Sequence, residues 1–158
     1  MCINCIAVQI GGFSMSGFDD AIVEFDLALN HYLNGDPGAV QDVFSRGEDV
    51  TLCNPVGPPC RGREAVVRAA AEPSSHFTGG NLKGVEEVSR FVAPDLGYVV
   101  RIERGQAHVD GSSEPIPYAL RVTLVLRREG ESWKISHRHA DPIMAPRPLA
   151  TAMEQPPA

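Results

Sequence analysis

The sequence predicts an α+β domain: three amino-terminal helices packed on a strongly curved sheet, mixed or antiparallel, that encloses a pocket. Three observations predict it. Apolar residues recur at helical spacing as far as about residue 71, and at period two from residue 85 onward. Gly, Pro and Asp clusters separate these segments at regular intervals. The helical segments all precede the main run of strands, which favours segregated layers over alternating βα units. Helices laid on the concave side of a bent sheet leave room for a ligand between the layers.

The first helix is predicted to start at Ser16, a capping residue followed by acidic side chains. Its core stripe is Phe18, Ile22, Phe25, Leu29 and Leu33, and Gly35 stops it. Asp36-Pro37 reads as the start of a short second helix with Val40, Val43 and Phe44 as its apolar side. Val50 to Asn54 reads as a short strand, and Pro55 to Pro59 as a rigid loop. A third helix runs from Gly62 to about Ala71 and closes before Pro73. Residues 74–82 are expected to be loop. Four strands follow, at Val85–Val92, Tyr98–Val109, Tyr118–Arg128 and Ser132–Asp141. Residues 1–14 read as an extension or loose arm, 15–142 as the folded domain, and 143–158, rich in Pro and Ala, as a disordered tail.

At 158 residues and 43% hydrophobic, the chain can bury a core within one domain. Its net charge of −6, with no basic block, argues against nucleic acid as a partner. No apolar run reaches membrane-spanning length. The amino terminus lacks a basic start and a cleavage site, so a cytoplasmic location is expected. Cys2 and Cys5 form a CxxC, but Cys53 and Cys60 have the wrong spacing for a zinc ribbon. Reduced thiols and no metal or other cofactor are therefore expected.

The segment Trp133 to Asp141 carries the candidate chemistry. Read at period two, Trp133, Ile135, His137, His139 and Asp141 share the core face, and Lys134, Ser136 and Arg138 the other. Two histidines two apart on a strand lie ~6.5–7 Å apart at Cα, close enough to touch two points of one ligand. They could handle protons, bind or brace structurally, or ligate a metal with Asp141 or Cys53 as a third ligand. Asn54 either orients a carbonyl or hydroxyl or shapes the loop before Pro55. Tyr32 either offers a phenol to the pocket or packs as a core aromatic. On the third-from-last and penultimate strands, Tyr98, Val100 and Ile102, and Leu120, Val122, Leu124 and Leu126, are expected inside. Arg101, Glu103, Arg121, Thr123, Arg127 and Arg138 are expected on the outer face, around Val99 and Val125.

Three stretches together resemble the nuclear transport factor 2-like superfamily of cone-shaped domains, and within it the SnoaL-like branch with polyketide cyclases and ketosteroid isomerases. They are Asn34-Gly35-Asp36-Pro37, then Glu48 to Gly57 with Gly62-Arg63-Glu64, and Trp133 to Asp141. The resemblance spans about residues 18–142 and implies the cone fold. Position by position it removes the isomerase machinery. Asn54 stands where the catalytic aspartate would be, Ala28 where the oxyanion-hole tyrosine would be, and Leu124 where the protonated aspartate would be. It places His137, His139 and Asp141 at pocket-lining positions, and it implies a homodimer formed through the outer sheet face. The resulting expectation is a cofactor-free domain for a small organic ligand. Leu52, Asn54, Tyr32, Val100, Leu120, Leu124 and Asp141 would bind, and His137 and His139 would act as an acid–base pair in a cyclase, isomerase or dehydratase type of reaction. The alternative is a ligand-binding or dimerisation domain without turnover.

Overall fold

The computed structural model describes residues 16–143. Helix α1 spans Ser16–Tyr32, α2 Gly38–Val43 and α3 Arg63–Ser74. The strands are β1 (Thr51–Cys53), β2 (Cys60–Arg61), β3 (Phe77–Val92), β4 (Leu96–Val109), β5 (Ile116–Glu129) and β6 (Ser132–Pro142). They form one open six-stranded sheet in the order β2-β1-β6-β5-β4-β3. The sheet is mixed: β1 runs parallel to β6, and every other neighbouring pair is antiparallel. The result is the expected α+β cone.

The helices form where the apolar spacing dictates. Phe18, Ala21, Phe25, Ala28 and Leu29 are buried along one side of α1. Phe18 meets Trp133 of β6 edge to face, with ring centroids 5.2 Å apart. The start of α1 coincides with the first described residue, so the capping role expected of Ser16 lies outside the described residues, as do the expected arm and the tail from 144 on. Gly35 turns the chain after α1 at φ +84°, where a β-carbon would press on the Phe77 carbonyl. Asp36 then accepts a hydrogen bond from the Gly38 N–H at 3.0 Å in the turn that leads into α2, whose N-cap residue is Pro37.

Two boundaries depart from the sequence expectation. Helix α3 runs through Pro73 and ends at the next residue. A proline in the last turn removes one donor near the point where the helix stops anyway. Residues 77–82, expected as loop, are the start of β3. Phe77 pairs with Val109, Gly80 with Ala107 and Leu82 with Gly105. The Gly80 position in the strand is held by glycine because a β-carbon there would lie 2.7 Å from the Gln106 carbonyl.

Irregularities bend the sheet. The β3–β4 ladder slips at Phe77/Gly79, Leu82/Gly84 and Glu87/Ser89, and the β5–β6 ladder slips at Val125/Leu126. Each extra residue increases local twist and curls the sheet around the helices. The core fills the concavity with Phe25, Phe44, Val50, Leu52, Val66, Val99, Leu124, Leu126 and Ile135.

Candidate functional site

A cavity of about 240 Å³ lies between the concave face of the sheet and the three helices. Phe25, Leu29 and Tyr32 of α1, Val40 of α2, and Ala70 and Pro73 of α3 form one side. Leu52, Asn54, Glu103, Ala107, Tyr118, Leu120 and Arg138 form the other. The lining is mostly apolar, and its polar groups gather round Arg138.

Arg138 reaches the cavity because of the β6 bulge. Val125 pairs with His137 and Leu126 with Ile135, which leaves Ser136 as an extra residue. Its hydroxyl donates to the Val125 carbonyl at 3.1 Å. Trp133 and Ile135 point into the core before the bulge, and Arg138 and Ala140 do so after it. The period-two face is therefore corrected. His137, His139 and Asp141 lie on the outer face, beside Val125, Thr123 and Arg121 of β5. His137 Nδ1 sits 2.7 Å from Thr51 Oγ1, and His139 Nε2 lies 3.0 Å from Asp141 Oδ2. Partial burial, with a smaller contribution from His139, holds the His137 imidazole below its ordinary 6.5. The pocket histidine pair is not formed. Among the described residues no three His, Cys, Asp or Glu side chains are grouped to hold a metal.

Strand β4 is inverted in the same sense. Val99, Arg101 and Glu103 face inward opposite Leu124, Val122 and Leu120. Val100, expected in the pocket, shares the outer face with Thr123. Leu124 faces inward as expected but is fully buried in the core rather than exposed to the cavity. Of the residues expected to contact a ligand, Tyr32, Leu52, Asn54 and Leu120 line the cavity.

The inward charges pair with one another. Arg101 and Glu103 are each 1% exposed, and Arg138 is 7% exposed. Arg101 donates to Glu103 Oε1 from Nε at 3.0 Å and from Nη2 at 2.6 Å. Arg138 Nη2 donates to Glu103 Oε2 at 3.1 Å, and Nη1 donates to Asn54 Oδ1 at 2.5 Å. Asp26 of α1 lies 2.6 Å from Arg101 Nη2, at an angle poor for a hydrogen bond. Burial raises the Asp26 pKa against the pull of Arg101. Both guanidiniums lie near the Phe25 ring, 5.3 and 5.9 Å from its centroid. Burial also pushes the Tyr32 and Tyr118 phenols up to about 12, and in Tyr118 the Glu103 charge adds to the effect. At neutral pH both are uncharged hydroxyls able to donate or accept.

Arg138, Glu103, Tyr118 and, behind them, Arg101 were not singled out as site residues by sequence reasoning. The available signal was the pairing of opposite charges at i and i+2 in β4, Arg101 and Glu103, which can be solvated or can neutralise itself inside.

This fold has known relatives. The chain belongs to the SnoaL-like domain family, whose model matches residues 25–145. None of the curated proteins matches it. A nuclear transport factor 2-like protein from Streptomyces avermitilis, named as a proposed dehydratase, is 20% identical. The match covers 82% of this chain and 96% of that one, with a TM-score of 0.68. A ketosteroid isomerase-like protein from Erwinia carotovora atroseptica is 16% identical over 83% of this chain and 97% of its own, with a TM-score of 0.67. A proposed scytalone dehydratase from Novosphingobium aromaticivorans is 14% identical over 82% and 84%, with a TM-score of 0.65. These likenesses show a shared fold.

Proposed function

We propose that the domain binds a small, mostly apolar organic molecule in the cavity between helices and sheet. The observation that carries this reading is the cavity itself: a space of about 240 Å³ with apolar walls and a few polar groups gathered round one arginine. That is the usual make-up of a ligand site, in which apolar area supplies affinity and a few polar groups set orientation. Binding without turnover is favoured over catalysis. Asn54 cannot take a proton, and both oxygens of Glu103 are already occupied by guanidinium hydrogen bonds.

An acid–base reaction of dehydratase or isomerase type is the second reading. The neutral phenols of Tyr32 and Tyr118 favour it, since they could steady a developing negative charge beside Arg138. The names of the similar structures point in the same direction. Replacing Tyr118 with Phe separates the two readings, because turnover would fall while binding of a neutral ring compound would persist.

The binding reading is tested by ligand-observed NMR with a set of small ring compounds. The parent should show saturable binding, and Leu120→Trp, which fills the cavity from a half-buried position, should lose it. Equal binding by the filled variant, or no saturable binding by the parent, refutes the proposal. The outer face of the sheet is proposed to pair with a second copy of the chain.

A further inference from the structure

We propose that the cavity selects small cyclic monocarboxylates, with Arg138 receiving the carboxylate. This rests on the reading that the cavity is a ligand site, and it adds the class of ligand.

The first argument is a donor inventory. A guanidinium has five N–H donors. Two of those on Arg138 go to Asn54 and Glu103. Its Nε–H is buried and has no partner among the described residues. The second hydrogens on its Nη1 and Nη2 also have no acceptor among the described residues, and because Arg138 lines the cavity a ligand oxygen there can accept from them. The neighbouring cavity groups add more donors: the Asn54 amide and the phenols of Tyr32 and Tyr118. The lining carboxylate, Glu103, is already engaged by both arginines. Donors therefore exceed acceptors, and the molecule that fits must bring acceptor oxygens.

The second argument is charge. Arg101 and Arg138 share the single fully buried carboxylate of Glu103. Asp26 compensates Arg101 from the α1 side. Among the described residues Arg138 has no carboxylate beyond the shared Glu103, so its positive charge is the less compensated of the two. A carboxylate supplies both the charge and two oxygens in the plane that a guanidinium matches.

The third argument is size. A dry cavity of about 150 Å³ holds one benzene ring, so the space here suits a ring plus a short acid arm, about ten non-hydrogen atoms. The ring would rest among Phe25, Leu29 and Leu120.

Phenylacetate and phenylacetamide have the same shape and differ in charge, so they form the test. Ligand-observed NMR titration of the full chain should show phenylacetate binding at least about tenfold more tightly, the scale of one charge-assisted hydrogen bond. In Arg138→Gln the preference should fall to near unity. Arg138→Lys, which keeps charge but not the fork, should retain part of it. If phenylacetamide binds the parent as well as phenylacetate does, or if the preference survives in Arg138→Gln, the carboxylate assignment is overturned and the cavity reading stands. If neither compound binds saturably, the cavity reading fails and the assignment fails with it. Should Arg138→Gln not fold, the acid-to-amide ratio of the parent decides.

Discussion

Glu103 holds two arginines inside the sheet, and the cost of removing it should be correspondingly large. Deleting one partner of a buried ion pair leaves uncompensated charge, which typically costs about 3–5 kcal/mol. Here one carboxylate serves two guanidiniums that are almost without solvent. Glu103→Gln should therefore lower stability by about that amount in urea unfolding. A loss below about 1 kcal/mol would show that water or Asp26 can replace it. The tyrosines make a second prediction at this scale. Their folded pKa values, pushed up to about 12, lie above the ordinary 10.0. The unfolded chain thus loses these protons first as pH rises. The stability they contribute is present below pH 10 and is lost as pH climbs from 10 through 12. Phenolate absorbance should show two late-titrating phenols, and unfolding midpoints should fall over the same interval. His137 has the opposite sense. Its folded pKa is depressed below 6.5, so the unfolded state takes up the proton first and stability drops as pH falls through 6.5. His137→Gln should flatten that acid limb of the stability profile.

Gly105 shows how an element can depend on a single missing side chain. It stands opposite Tyr118 across the β4–β5 ladder, and a β-carbon there would lie 2.4 Å from the Tyr118 hydroxyl. Gly105→Ala must push the ring off the strand toward the cavity or distort β4, at a cost of about 1–3 kcal/mol. Retained stability in a thermal melt, together with unchanged binding of ring compounds, would contradict this placement. The same strands mark what the sequence made legible. The α1 stripe, the strand pattern of β5 and the helices-first order all follow from spacing alone, because a buried face there is uniformly apolar. The faces of β4 and of β6 after Ser136 do not. In β4 both phases of the pattern carry apolar residues, so the charged phase was assigned outward; Arg101 and Glu103 instead neutralise each other inside. In β6 one bulged residue turns every later side chain to the opposite face. That exchanges His137 and His139 for Arg138, and no period-two reading can see it. Tyr32, Asn54, Leu52 and Leu120 were legible as cavity candidates because no slip intervenes between them and the core pattern. Arg138 was hidden by the bulge.

The inversion of β4 has a counterpart for the whole molecule, since charges taken inside leave apolar residues outside. Tyr98 stacks on Phe91 on the outer face, with centroids 6.2 Å apart. Phe91, Leu96 and Tyr98 are 58%, 51% and 37% exposed, and together with Val125 they border a shallow groove. Val100 and Ile102 continue that face along β4. Isolated exposed apolar residues are ordinary, but a contiguous group of aromatic and branched side chains on a sheet face marks an interaction surface. Arg121 and Thr123 and the outward His137 and His139 supply the polar surround that a homodimer interface carries at its rim. A two-fold pairing would let each copy cover the same patch of the other, burying about 800 Å² per partner if it is of ordinary size. Sedimentation equilibrium at micromolar concentration should give twice the chain mass. Tyr98→Glu places an unpaired charge at the centre of the face, where it is solvated in the monomer and costly in the dimer. It should give the single-chain mass with the thermal transition of the isolated domain intact. A parent that sediments as a monomer, or a Tyr98→Glu variant that remains dimeric, would place any pairing elsewhere and leave the apolar outer face without a partner.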